Sequence, residues 1–261
     1  MSLSKIRRLL AEPRSIGNFT KNLRTVHSQY GEDIFFRLLL HPRSAGTYLD
    51  VGSHDPVHGS NTFNLYARGW KGVTIDPNPS FASAYRKHRP KGLHLVEGVA
   101  KQPSNLIYHM FERDVFNTLS PERALEVAGF GEKPTGQVIV PCRPLTSIVS
   151  DHLAGVQIDL LSVDCEGFDL DALESLDLSV NRPTVIIVED YERYFSFRDG
   201  SPNTSAIHKL LFENDYRSVA QLAFSAIYVS RDWRRLMSLS DAYDVQAIHE
   251  GALPSLERIS H

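Results

Sequence analysis

Apolar positions along the chain follow two alternating patterns. Short runs at 47–51, 72–75, 93–96, 158–163 and 184–188 are apolar and partly β-branched, which reads as buried strands. Between them apolar residues recur at helical spacing, as in Ile34, Phe35, Leu38 and Leu39, or Leu170, Leu173 and Leu176. This predicts a helix opening near Ser28 and ending at His41–Pro42, and one starting near 59–61, running through Ala67 and stopped by Gly69. Further helices are expected from Ser80 to Pro90, over 168–176, and over 203–213 with Asn203 or Thr204 as cap. Tyr191 to Gly200 reads as an aromatic, charged loop. Tyr216–Leu222 and Ser225–Val229 read as an antiparallel pair closing the sheet. Strands alternating with helices predict an α/β domain, a mostly parallel seven-stranded sheet with an antiparallel C-terminal strand and helices on both faces.

One region breaks the alternation. Asn105–Met110 and Gln137–Pro141 are extended runs, with a short helix from Pro121 through Leu125 and a loop of glycines and proline between them; 145–153 is helical. An excursion near 101–145 is where such a domain would build its substrate wall. The expected division is a helical extension over 1–27, the domain over 28–230, and a tail over 231–261 packed on the domain or on the partner in a homodimer.

Composition narrows the class. A chain of 261 residues allows one large α/β domain. A net charge of −3 does not favour nucleic acid. Two cysteines, Cys142 and Cys165, make no secreted scaffold and read as buried thiols in strand-like surroundings. No signal peptide or membrane span is apparent, so a cytoplasmic enzyme is expected. Arg7, Arg8, Leu9 and Leu10 suit a helix packed on its own domain or, less well, a membrane surface.

The candidate chemistry sits where strands end. Asp50 and Gly52 close the first strand, and Asp76 and Pro77 close the second. Strand, glycine turn, helix, strand and acid make half a nucleotide-binding unit, whose terminal acid can take both hydroxyls of a ribose. Gly98 to Ala100, beyond the third strand, would flank an adenine ring. Asp164 ends the fourth strand, and Glu189 and Asp190 end the fifth. Carboxylates gathered at one sheet edge need a compensating cation, and magnesium suits oxygen ligands. The plainer alternative has Glu166 capping its helix and Asp190 meeting solvent or Arg193. His54 is a candidate for proton transfer, with Asp164 competing for that role. Tyr191, Tyr194, Phe195 and Phe197 face either a ring-bearing substrate or their own loop.

As an ordered set, Ser28-Gln-Tyr-Gly-Glu-Asp33, Leu49-Asp-Val-Gly52, Ser60-Asn-Thr62, Gly69-Trp-Lys-Gly-Val-Thr-Ile-Asp-Pro-Asn-Pro79 and Leu161-Ser-Val-Asp-Cys-Glu-Gly167 resemble the FkbM family of methyltransferases. The resemblance implies a Rossmann-like class I methyltransferase fold, S-adenosylmethionine as cofactor, and methylation of a hydroxyl on a sugar, glycoside or other small natural product. It implies that Asp50, Gly52 and Ser53, with Asn61 and Thr62, belong to the cofactor loop. It further implies that Asp76 and Pro77 hold the ribose, Gly98 and Val99 flank the base, and Gln29, Glu32 and Asp164 lie near the methionine end. Related metal-dependent enzymes place acids where Asp164, Glu189 and Asp190 stand. The chain departs from the family at Ser53-His-Asp-Pro56, where a second glycine is usual. A nicotinamide dehydrogenase is the competing enzyme class, but the first loop lacks the glycine spacing that admits a pyrophosphate. A fold retained without catalysis is the third class.

Overall fold

The computed structural model of the protein describes residues 26–40 and 43–233. The anticipated N-terminal helix, the His41–Pro42 stop and the tail from 234 lie outside the described residues. In chain order the strands are β1 (Thr47–Val51), β2 (Lys71–Ile75), β3 (Leu93–Leu95), β4 (Gly98–Val99), β5 (Ser104–Phe111), β6 (Pro134–Arg143), β7 (Leu160–Val163), β8 (Val185–Glu189), β9 (Tyr216–Leu222) and β10 (Ser225–Ser230). The helices are α1 (Glu32–Leu39), α2 (Phe63–Ala67), α3 (Ala82–His88), α4 (Pro121–Gly129), α5 (Leu145–His152), α6 (Asp169–Glu174), α7 (Tyr191–Asp199) and α8 (Ala206–Glu213).

The main sheet has seven strands in the order β3-β2-β1-β7-β8-β10-β9. Its first five pair in parallel, and β10 runs antiparallel to both neighbours. This is the expected class I architecture. The chain leaves β1 toward β2 and returns at β7, so the order reverses between β1 and β7, where such sheets open a crevice beyond their carboxyl ends. Successive strand residues point to opposite faces. Ile186 and Val188 therefore join one apolar layer with Leu145, Leu173 and Leu211, while Val185 and Ile187 join the other with Phe36 and Trp70. Full burial of each such side chain contributes about 1.5–3 kcal/mol.

The irregular excursion builds a second sheet, β4-β6-β5, around Tyr108, Leu119, Val140 and Cys142. Gly98 and Val99, expected only to follow β3, form a strand paired with Cys142 and Arg143.

Several local expectations change. Residues 191–199 are helical, because the Asp190 side chain accepts the Arg193 N–H and Gly200 (φ 69°) turns the chain out. Helix α8 starts at Ala206, capped by Ser205 accepting from His208 N–H; Asn203 instead accepts the Ser205 N–H. Helix α2 begins only at Phe63. Cys142 is buried in β6, but Cys165 lies in the loop after β7 and borders a cavity.

Candidate functional site

A cavity of about 310 Å³ opens beyond the carboxyl ends of β1, β2 and β7 and is roofed by the excursion through Tyr108, Asp114 and Leu119. Its floor is the turn after β1. Gly52 and Ser53 both donate to the Ile75 carbonyl, at 2.9 and 3.1 Å, folding the turn over β2. Gly52 has φ 71°, and a Cβ there would lie 1.7 Å from the Asp164 carbonyl oxygen. The loops after β1 and β7 are thus in direct contact. Gly52→Ala is expected to destabilise the protein by about 3 kcal/mol or more, combining a left-handed backbone with a backbone clash. Urea unfolding checks this, and a midpoint within error of wild type would contradict it.

Asp76 is buried beside this turn. One carboxylate oxygen accepts the Asn78 N–H and the other the His54 N–H, at 2.8 and 2.9 Å. Burial pushes its pKa up to about 6 despite those bonds. Each oxygen keeps a lone pair for a further donor.

Asp50 borders the same cavity from inside β1. The Thr62 hydroxyl donates to it, and burial raises its pKa against the attraction of Arg89. Asn61 borders the cavity and donates to the Ser162 hydroxyl at 3.2 Å. His54 sits at φ 45°, its Nε2 3.1 Å from Asp114 Oδ1 and its ring edge-on to Phe81.

The carboxyl ends of β7 and β8 carry a second feature. One carboxylate oxygen each from Asp164, Glu166 and Glu189 lies within 4.8 Å of the others. Glu166 adopts φ 48°, its carbonyl accepting from the Thr118 hydroxyl at 2.7 Å, so the excursion helps hold this strained turn. Burial, then the neighbouring carboxylates, raises the pKa of Asp164 and of Glu189 well above the usual carboxylate range. Asp169 is raised to about 7, first by burial. Arg123 is the cation at hand, donating to Glu166 at 3.0 Å and to the Tyr191 hydroxyl at 3.2 Å. One buried oxygen of Glu189 has no hydrogen-bond partner. A carboxylate with an unpartnered buried oxygen, gathered with two more carboxylates, is a donor set that fits a hard, oxygen-seeking cation.

Among the residues singled out from sequence, Gln29, Asp50, Gly52, Ser53, His54 and Asn61 border the cavity. So do Asp76, Pro77, Gly98, Val99 and Asp164. Gly98 has no room for a side chain: a Cβ there would lie 2.5 Å from Cys142 Sγ, in the core of the second sheet. Thr62 is fully buried and acts on Asp50 rather than on the cavity. Glu32 is also buried, accepting from Tyr30 N–H and from the Ser225 hydroxyl. Asp190 does not join the carboxylate trio. Its two oxygens take the Arg193 N–H and the Ser205 hydroxyl, so it is a buried cap. Glu166 stands in the trio instead and caps no helix; α6 has no side-chain cap, and its first residue, Asp169, ties the preceding turn by accepting from Cys165 and Gly167 N–H. The acids of Asp164-Cys-Glu-Gly167 signalled this turn. Nothing in the sequence pointed to Arg123, Asp114 or Arg89.

Comparison with known proteins supplies the rest. The model of the methyltransferase FkbM domain matches residues 50–218. No curated protein sequence matches the chain. Similar solved structures include an O-methyltransferase from Bacillus cereus in complex with SAH, 16% identical over 88% of this chain and 92% of that one, TM-score 0.42. The cofactor-bound Rv0187 from MTB is 14% identical over 82% and 85%, TM-score 0.45. A methyltransferase from Geobacter sulfurreducens is 10% identical over 84% and 96%, TM-score 0.42. These likenesses are loose and carry no argument about chemistry. The family match spans well over half the chain, including Asp50, Asp76, the carboxylate trio and the second sheet, and the chain belongs to the FkbM methyltransferase family.

Proposed function

We propose that the protein transfers a methyl group from S-adenosylmethionine to a hydroxyl oxygen of a small, ring-bearing acceptor such as a sugar or glycoside. The observation that carries this reading is one cleft with two acidic stations. Asp76 ends β2 and Asp164 follows β7, with β1 between them, a separation of roughly 10 Å by strand spacing. One station suits a ribose and the other the reacting end. Gly98 and Val99 border the cavity beyond β3 and would flank the base. Bound S-adenosylmethionine would supply an electrophilic methyl on a sulfonium, which needs chiefly an aligned oxygen nucleophile.

The chain's own residues would do the remainder. Asp76 accepts the ribose hydroxyls. Without a cation, Asp164 would take the proton of the acceptor hydroxyl as the ionised carboxylate. His54, paired with Asp114, is a second base bordering the cavity. Asp164, Glu166 and Glu189 would hold a divalent cation such as magnesium, which would lower the acceptor hydroxyl's pKa. Tyr191 contacts this trio through Arg123. Its ring lies 4.8 Å from Phe224, which packs at 4.7 Å on Tyr194. Phe224 also meets Tyr30 edge-on at 6.3 Å. This aromatic strip next to the reacting end supports a ring-bearing acceptor. Among the described residues no helix is long and apolar enough to cross a membrane.

The deciding experiment is incubation with S-adenosylmethionine, magnesium and a panel of glycosides and polyols. Release of S-adenosylhomocysteine that depends on a hydroxylated acceptor is expected. Calorimetric absence of S-adenosylmethionine binding would overturn the proposal.

Binding should also depend on pH. The raised pKa of Asp76 means that the free folded protein holds this proton more tightly than the unfolded chain does. The group's contribution to stability therefore falls as pH rises from about 4 to about 6. Ribose hydroxyls donate to the ionised carboxylate, so affinity is complete above about pH 7 and lost below about pH 6. Binding at pH 5 is expected to be about tenfold weaker than at pH 7. A flat calorimetric profile between those values would remove Asp76 from the ribose.

A further inference from the structure

We propose that Arg89 is a positioning residue for the cofactor loop, fixing its course from the side facing away from the cavity. The proposal rests on the reading of the cavity as the S-adenosylmethionine site. The loop from Gly52 to Asn61 contributes most of the cavity floor. Between Gly52 and Gly59 it contains no glycine, carries Pro56, and holds His54 at φ 45°. Within the loop Asp55 Oδ1 accepts the Val57 and His58 N–H groups and Pro56 fixes one φ, which shapes a local turn but does not select where the loop lies against the domain.

Arg89 does select it. It follows α3, is 2% exposed, and does not border the cavity. Its Nε donates to the Pro56 carbonyl at 2.8 Å. Its Nη1 donates to the Thr62 hydroxyl at 2.9 Å and its Nη2 to the Ser60 hydroxyl at 2.6 Å. Three donors of one rigid fork thus reach Pro56 and Ser60 in the loop and Thr62 just past its end. The Ser60 hydroxyl also accepts from Thr62 and Phe63 N–H, which starts α2. The Thr62 hydroxyl passes the contact on to Asp50. Four residues before Arg89, Tyr85 of the same helix donates to the Ser53 carbonyl at 3.0 Å and takes the loop's near end. The guanidinium lies over the Phe63, Tyr66 and Tyr85 rings, at 5.6, 5.8 and 5.4 Å, where it is shielded from water. Its planar, multidentate geometry is what the three acceptors require. A lysine ammonium at this depth matches only part of it.

The test uses the full chain and two observables. Hydrogen exchange on the ligand-free protein reads the loop, and calorimetry with S-adenosylhomocysteine reads the site. In Arg89→Lys, residues 53–62 are expected to exchange about tenfold faster while β1, β7 and β8 keep their protection, and binding should weaken by about tenfold, the loss of one or two charge-assisted hydrogen bonds. Ser60→Ala removes one acceptor of the arginine, together with the bonds from Thr62 and Phe63 N–H, and should give the same pattern at a smaller size, centred on residues 60–63. It also keeps the proposal falsifiable should Arg89→Lys fail to fold. Unchanged loop exchange and binding in Arg89→Lys would overturn the proposal. So would exchange that rises uniformly through the sheet, which marks a structural role alone. If the wild-type protein fails to bind S-adenosylhomocysteine, the donor reading falls, while loop exchange in the free protein still decides the role of Arg89.

Discussion

Asp76→Ala is expected to weaken S-adenosylmethionine binding by about a hundredfold, the loss of two hydrogen bonds to an ionised carboxylate at about 1.5 kcal/mol each. The carboxylate already accepts the His54 and Asn78 N–H groups and holds the turn that carries them. Alanine therefore removes the ribose acceptors and loosens their support together. Asp76→Asn separates the two effects. It retains the size and one acceptor oxygen, and about a tenfold loss is expected from the missing charge. Calorimetry reads both variants. An unchanged dissociation constant in Asp76→Ala would refute the assignment, because no other buried acid stands at the end of β2.

The second large effect belongs to the carboxylate trio. Asp164→Asn and Glu189→Gln should each lower kcat by about a thousandfold, in the range of a lost proton acceptor or metal ligand. Binding of S-adenosylmethionine should change far less for Glu189→Gln, which does not border the cavity. The assay is S-adenosylhomocysteine release with the best acceptor found in the glycoside panel. Chelator treatment divides the two mechanisms. Loss of activity, restored by magnesium, is expected if the trio works through a cation. Full activity in chelator would remove the metal and leave Asp164 as the base. Asp190→Asn serves as the contrast. Its carboxylate caps α7 and binds Ser205, so its loss should appear as reduced stability with kcat retained at low temperature.

The strands of the main sheet were legible because buried parallel strands need apolar, β-branched runs, and 158–163 and 184–188 leave little choice. Asp76 and Asp164 were legible because strand ends in such a sheet point to one edge. Glu189 and Asp190 could have been told apart. Neighbouring residues at a strand end point to opposite faces, so only one of the pair was available to the cleft. Glu166 was harder, since its position depends on a left-handed backbone that no residue type announces. Helix α7 escaped because its ends are set by an aspartate cap and a glycine rather than by an apolar stripe. The second sheet escaped because its pairing is set by contacts distant in sequence. Arg89 escaped most completely: an arginine before a proline looks like surface, and only the three acceptors around it reveal otherwise.

The position of β10 has a consequence for how the molecule is made. It is the last described strand, yet it fills the slot between β8 and β9. Until it arrives, β9 has no partner in the sheet, and the long edge of β8 that ends in Glu189 stays open. The turn before β10 supplies the Phe224 carbonyl to Asp190 N–H, and Ser225 reaches back to Glu32, ahead of the first strand. Asp76 and the turn after β1 come early in the chain, and their support from Tyr85, Arg89 and the loop after β7 also precedes the β9–β10 hairpin. The aromatic strip and the settled surroundings of Glu189 come only with the final hairpin. The half proposed to grip the donor therefore precedes the half proposed to use it, and a chain cut short before residue 224 would leave β8 and Glu189 at an open sheet edge.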